Sequence, residues 1–299
     1  MDMIGLLFEA PPLALQLVID GVLIGAIFAL IAYGMALVWG VMKIVNICQG
    51  EFVILGGYIS YYVWEAGYPL AVGVPAAALA LFLLGWLLYR TIIFRVVEQD
   101  LFISILATFG LAILLAQLMN QAFGADVRTA DAGFGNWFLF DNLVSIAAIK
   151  LVSFGVTMIV AALLIWFMRC TRLGQAIRAT AQNARAARIL GIDTHGIYAF
   201  TYGLNAAICG AAGALIAMIW VIAPFGGLIY TVRAFMIVTV AGLGNLPGVI
   251  AAGLGLGIIE QFIGFVLGAQ FQIALIFVLL VVILVWRSQL LRRRRKVLE

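Results

Sequence analysis

Seven long apolar runs, at 13–39, 70–89, 101–123, 147–168, 197–223, 249–267 and 271–286, leave this chain few ways to fold. A helix needs about 20 mostly apolar residues to cross a hydrocarbon core about 30 Å thick, because each residue advances about 1.5 Å. Two further runs, 52–64 and 228–243, are broken by polar residues or glycine, so eight or nine crossings are expected. The period-two alternation of a barrel strand is absent. Helices are then the way to satisfy backbone hydrogen bonds in lipid. The expected fold is an all-α polytopic membrane protein, one transmembrane domain over 1–299. Composition agrees: 10% of the residues are charged and the mean hydropathy is +1.20, against about 25% charged in a soluble domain.

The basic residues orient the bundle. With 169–196 and the basic tail 287–299 placed inside, Lys43, Arg90, Arg95, five arginines from Arg169 to Arg188 and six basic residues from Arg287 to Lys296 face the cytoplasm. Arg128 and Lys150 fall outside, and Arg233 lies within a run. That asymmetry is the one the positive-inside rule demands. It puts the N-terminus and the loop 124–146, with Asp126, Asp131 and Asp141, on the outer side. The net charge of +4 therefore reads as topology and lipid-headgroup contact, with no nucleic-acid partner. Residues 1–9 hold Asp2 and Glu9 but no basic residue, so no cleavable leader is expected. Cys48, Cys170 and Cys209 are odd in number and widely spaced, which predicts reduced thiols without a metal.

A short internal match, Gly25-x-x-x-Ala29-Leu30-Ile31-Ala32 with Gly210-x-x-x-Ala214-Leu215-Ile216-Ala217, suggests repeated halves with interrupted helices, a transporter habit. The 32 glycines fit helices that pack backbone to backbone in lipid.

Four polar segments interrupt this apolar background. In Lys43-Ile44-Val45-Asn46-Ile47-Cys48-Gln49-Gly50-Glu51, Asn46, Gln49 and Glu51 mark either a pathway or a plain cytoplasmic turn, since polar backbone at membrane depth survives only beside protein or water. Pro224-Phe225-Gly226-Gly227 precedes Arg233, which needs a carboxylate or water. Glu260, Glu51 and Asp20 are the acids that can supply one, as a structural ion pair or beside a substrate. Gly242-Leu243-Gly244-Asn245-Leu246-Pro247-Gly248 is a tight turn or a helix break. The fourth segment, Arg172 to Asp193, is rich in helix formers. It predicts one amphipathic helix bracketed by Gly174 and Gly191 and presenting Arg178, Arg185 and Arg188 to a soluble partner, unless it is only a topogenic basic loop.

No phosphate-binding loop can be written from Lys43, Lys150 and Lys296, because none follows a glycine. The single His195 has no Cys or carboxylate at ligand spacing, so no metal site is expected. No nucleophile–base pair suggests an embedded enzyme.

Taken together, the four segments resemble the LIV-type (branched-chain amino acid) ABC permease family, over about residues 17–286. Gly40 to Glu51 resembles its G-x-x-x-x-x-N-F-A-H-G-E element. Arg169 to Ile192 resembles its R-x-x-R-x-G-R-A-x-R-A…A-x-x-L-G-I segment. Arg233-Ala234-Phe235, then 241–248 and Gly253 to Glu260, resemble its K-A-F…G-G-x-G-S-x-P-G…G-x-x-x-G-x-x-E stretch. The chain is similar to the shorter of the family's two permease types. The resemblance implies a heteromeric importer in the bacterial inner membrane, with no cofactor in this chain. It implies a second, longer permease, two cytoplasmic ATPases carrying ATP and Mg, and a periplasmic binding protein. Arg172, Gly174, Gln175, Arg178, Asn183, Arg185, Arg188 and Gly191 then fall in the ATPase-coupling segment. Asn46, Gln49, Glu51, Arg233 and Glu260 are candidates for the translocation path. The family His is Gln49 here, its Phe-Ala is Ile47-Cys48, its Gly-Arg-Ala is Gly174-Gln175-Ala176, and Trp286-Arg287-Ser288 replaces its P-x-G-L-F-G ending. Branched-chain or similar small amino acids are the implied substrates. The alternatives are urea, short amides or other small organic acids in the same family, and an ion-coupled secondary transporter.

Overall fold

Glycine-lined helix contacts organise the bundle seen in the computed structural model, which describes residues 11–130, 133, 135–139, 144–242 and 245–296. The helices are α1 (Pro11–Met42), α2 (Gln49–Glu65), α3 (Leu70–Thr91), α4 (Leu101–Phe123), α5 (Ala148–Cys170), α6 (Arg172–Gln182), α7 (Ala184–Ile189), α8 (Thr194–Ile219), α9 (Gly227–Ala241), α10 (Leu246–Val266) and α11 (Ala269–Lys296). Among the described residues, seven helices are long and apolar enough to cross a membrane. The shorter α2 and α9, 17 and 15 residues, lie where the broken runs were read. Each is one unbroken helix. At about 1.5 Å per residue, α9 spans about 22 Å, less than a full hydrocarbon core. It is nevertheless packed against α1, α2 and α10.

Helices α1 and α8 form the buried centre. They run antiparallel: Gly34 of α1 faces Asn205 of α8, while Phe28 stacks on Trp220 just beyond α8. Each then packs a glycine face on a second helix. Gly21 and Gly25 of α1 lie against Gly253 and Gly257 of α10, and Gly203 and Gly210 of α8 lie against Phe82 and Ala77 of α3. A Cβ at Gly25 would press on the Gly253 carbonyl, and one at Gly210 on the Ala77 carbonyl. The two glycines that begin the internal sequence match thus hold equivalent places. The antiparallel helices α1 and α8 thus each take a second glycine-lined neighbour, α10 for α1 and α3 for α8.

The breaks follow from local chemistry. Helix α1 stops at Lys43, a non-glycine residue at φ 55°, where the left-handed backbone cannot continue the helix. Helix α8 gives way to extended backbone at Trp220. Helix α9 ends on Gly242 at φ 85°.

The segment after α5 departs from the single helix expected. It forms two helices with a corner at Asn183 (φ −156°, ψ 98°). Thr171 rather than Gly174 starts the first: its Oγ1 accepts a hydrogen bond from Gly174 N at 3.0 Å. Asn183 restarts the second by accepting from Ala186 N at 3.0 Å. Asn and Thr compete for backbone donors in this way and so favour caps over helix interiors. Gly191, at φ 84°, does end the segment.

Charged groups gather at two ends. At one, Lys43, Glu98 and Arg185 border the same cavity. At the other, Lys150 Nζ lies 2.8 Å from Asp20 Oδ1, and Arg128 pairs with Ile222 in an isolated antiparallel bridge. The loop 124–146 contains a hairpin, β1 (Asn136–Leu139) with β2 (Val144–Ala147), in register Asn136↔Ala147. Gln16 Nε2 of α1 donates to Ser145 O at 3.2 Å, tying the hairpin to the bundle. Asp131, Asp141, Leu243 and Gly244 lie outside the described residues.

Candidate functional site

Between α1 and α2 the chain has no helical hydrogen bonds to close, so side chains must satisfy it. Asn46 and Gln49 are fully buried. Tyr202 donates its hydroxyl to Asn46 Oδ1 at 3.2 Å, Asn46 Nδ2 donates to Gln49 Oε1 at 3.4 Å, and Gln49 Nε2 donates to Ile31 O at 2.9 Å. Thr231 of α9 closes the other side: its Oγ1 accepts from Gly50 N at 2.8 Å and donates to Ile47 O at 3.0 Å. Thr108 of α4 accepts from Ile47 N at 3.3 Å. The break is thus braced from α8, α9 and α4 together.

Glu51 sits 6% exposed, with Oε2 lacking a hydrogen-bond partner among the described residues. Its carboxylate abuts Gly227, the first residue of α9, where a Cβ would overlap it. The partial positive charge at a helix N-terminus compensates a carboxylate placed there. Gly50 is as constrained: a Cβ would overlap the Gly227 carbonyl. Here glycine is required because α2 and α9 approach backbone to backbone.

Arg233 and Glu260 find each other. Arg233 Nε donates to Glu260 Oε1 at 2.9 Å and its second guanidinium nitrogen to Oε2 at 3.1 Å. The guanidinium also lies 4.7 Å from the Phe28 ring centroid and 5.6 Å from that of Tyr230. Two-pronged pairing with ring faces suits a planar cation out of water. Of the two openings the sequence left for Arg233, the structure shows an ion pair. Asn46 and Gln49 share one hydrogen-bond chain, Glu51 abuts the start of α9, and Arg233 with Glu260 form an ion pair between α9 and α10.

Helices α6 and α7 form the second candidate surface. Gly174, Ile177 and Thr180 face inward, while Arg172, Gln175, Arg178 and Arg185 are exposed. Gly174 is pressed on the Phe167 and Met168 carbonyls of α5. Arg188 is exposed too, but it is paired. It donates to Thr194 Oγ1 at 2.9 Å and to Glu98 Oε1, between α3 and α4, at 2.6 Å. That hydrogen bond and charge hold the Glu98 carboxyl below its ordinary value. His195 Nδ1 lies 3.2 Å from Tyr89 Oη, which extends the network to α3.

Sequence reasoning passed over Tyr202, Thr231, Thr108, Glu98 and the Asp20–Lys150 pair. Thr108, Tyr202 and Thr231 are polar groups inside apolar runs, and that was the available signal. Nothing in the spacing joins Glu98 to Arg188.

A family model described as branched-chain amino acid transport system, permease component, matches residues 17–286. The chain is 30% identical over 284 residues to the high-affinity branched-chain amino acid transport system permease protein LivH of Escherichia coli (strain K12), covering 90% of this chain and 92% of that one. It is 29% identical to the corresponding permease protein BraD of Pseudomonas aeruginosa, covering 91% and 94%. Among solved structures, PsaBC from Streptococcus pneumoniae in complex with Fab aligns with a TM-score of 0.51 at 11% identity, over 88% of this chain and 89% of that one. That likeness concerns the fold alone.

Proposed function

Because the chain belongs to the branched-chain amino acid transport system permease family, we propose that it is one membrane-spanning half of an ATP-driven importer for branched-chain or similar small amino acids. Its partners on this reading are a longer second permease, two cytoplasmic ATPases and a periplasmic binding protein that delivers substrate. The end bearing Lys43, Arg185 and Arg188 faces the cytoplasm, and the hairpin end faces the periplasm of the inner membrane. The observation that carries the coupling is the cornered pair α6–α7. Arg172, Arg178 and Arg185 are exposed on it without an ion-pair partner among the described residues. Its other face is seated on the bundle by Ile177 and Gly174.

A push on this pair has three ways into the bundle: Gly174 on α5, Arg188 on Thr194 of α8, and Arg188 on Glu98 beside α4. ATP can shift the bundle between outward and inward openings only if the ATPase contacts differ between the two. Asn46, Gln49 and Glu51 brace the inner end of the path at the α1–α2 break. Arg233 and Glu260 neutralise each other and hold α9 to α10. The exposed arginines are tested by Arg178→Glu with Arg185→Glu in the reconstituted complex. The variant should remain in the membrane but lose substrate-stimulated ATP hydrolysis. Undiminished stimulation overturns the docking role.

A further inference from the structure

A cavity of about 570 Å³ opens between α1, α5, α6 and the start of α10. Its wall is mostly apolar, with Leu37, Ile165, Met168, Ile177 and Ile250 among the lining residues. Gly40 faces it with no atom within 4 Å of where a Cβ would stand. Tyr33 lines it as well, 6% exposed, with its hydroxyl lacking a hydrogen-bond partner among the described residues. Two arginines line it as well, Arg169 where α5 ends and Arg178 on α6. Both are exposed and neither has a carboxylate partner among the described residues. Leu163 and Trp166, just before Arg169 on α5, are 58% and 60% exposed, so α5 also carries an uncovered apolar surface near the cavity.

An apolar hollow between long apolar helices, with two exposed arginines unpaired among the described residues in its lining, has the composition of an amphiphile site with an anionic head. Basic pockets between helices at the cytoplasmic surface recognise such headgroups. Arginine matches a phosphate diester through two parallel donors. We propose that this cavity holds an anionic phospholipid, one acyl chain along α1 over Gly40 and the headgroup phosphate on Arg169 and Arg178. The lipid completes the packing between α6 and the bundle, which the protein alone leaves open. The proposal rests on membrane embedding and not on ATP coupling, so either can fail without the other.

The test uses the purified full-length chain equilibrated with equal parts phosphatidylglycerol and phosphatidylcholine, with retained lipid read by native mass spectrometry. Wild type should retain phosphatidylglycerol selectively. Arg169→Gln should lower that selectivity about fivefold, the effect of one basic side chain at a membrane surface. Gly40→Leu sets its Cβ where no atom lies within 4 Å, projects an apolar side chain into the hollow and improves helix propensity. It should cut retained lipid to background while leaving both arginines in place. Equal retention of the two lipids, or retention unchanged in both variants, overturns the proposal. Displacement of the lipid by inorganic phosphate overturns it in favour of a free-anion site, and displacement by leucine in favour of a substrate site. Should Gly40→Leu fail to fold, the Arg169→Gln selectivity decides alone.

Discussion

Two arginine–carboxylate pairs, Arg233–Glu260 and Arg188–Glu98, use the same chemistry in opposite surroundings. The first has side-chain exposures of 13% and 5%, the second 50% and 55%. Inside the bundle neither partner can turn to water, so the pair is obligatory once the residues are there, whatever its net worth. At the surface each partner has water as an alternative, and salt screens what remains. The comparison separates two jobs. The buried pair fixes how α9 sits on α10, while the exposed pair links the α7–α8 junction to the turn between α3 and α4.

The sharpest way to break this contrast is to remove one buried partner. Arg233→Leu or Glu260→Leu alone should cost about 3–5 kcal/mol, because each leaves an uncompensated charge among apolar groups. The double variant should recover most of it. Unfolding in a denaturing-detergent titration measures both, and equal single and double losses would show that the pair is not coupled. Thr231→Val comes next. It removes the acceptor for Gly50 N and the donor for Ile47 O, leaving buried backbone groups unpaired at about 1–3 kcal/mol. The same titration should show a fall for Thr231→Val, and none for Thr91→Val, whose hydroxyl bonds only its own exposed helix turn.

The glycines extend the contrast to packing. Gly50→Ala must separate α2 from α9 at a cost of about 1–3 kcal/mol. Gly40→Ala meets nothing and should be neutral or stabilising by up to about 1 kcal/mol. Melting temperatures of the two purified variants should move in opposite directions or only the first should move.

The smallest effect belongs to the exposed pair. Glu98 is held below its ordinary value by Arg188. The contribution of the pair is therefore complete above the unfolded carboxyl value and fades as pH falls through the lowered folded one. Between about pH 5 and about pH 3 the melting temperature of wild type should fall slightly more than that of Glu98→Gln. Parallel curves would mean that the contact adds nothing to stability.

Much of this molecule was readable from residue types in order. The apolar runs became helices because hydrocarbon leaves the backbone no other partner, and the Gly25/Gly210 match became equivalent helix contacts because only glycine admits a facing backbone there. The Arg233 charge demanded a partner, and Glu260 was among three candidates named. The rest depended on contacts between residues far apart in the chain. One-dimensional spacing could not join Glu98 to Arg188, 90 residues away, nor Thr231 to Gly50, 181 residues away. It also carried the inner segment through Asn183 as one helix, where local capping chemistry turned a corner. Sequence alone settled that this chain must be a helical bundle in lipid, since that follows from transfer energies summed residue by residue. Tertiary structure decided which polar groups meet. Burial without water forces pairing, and only the packed arrangement says who is within reach.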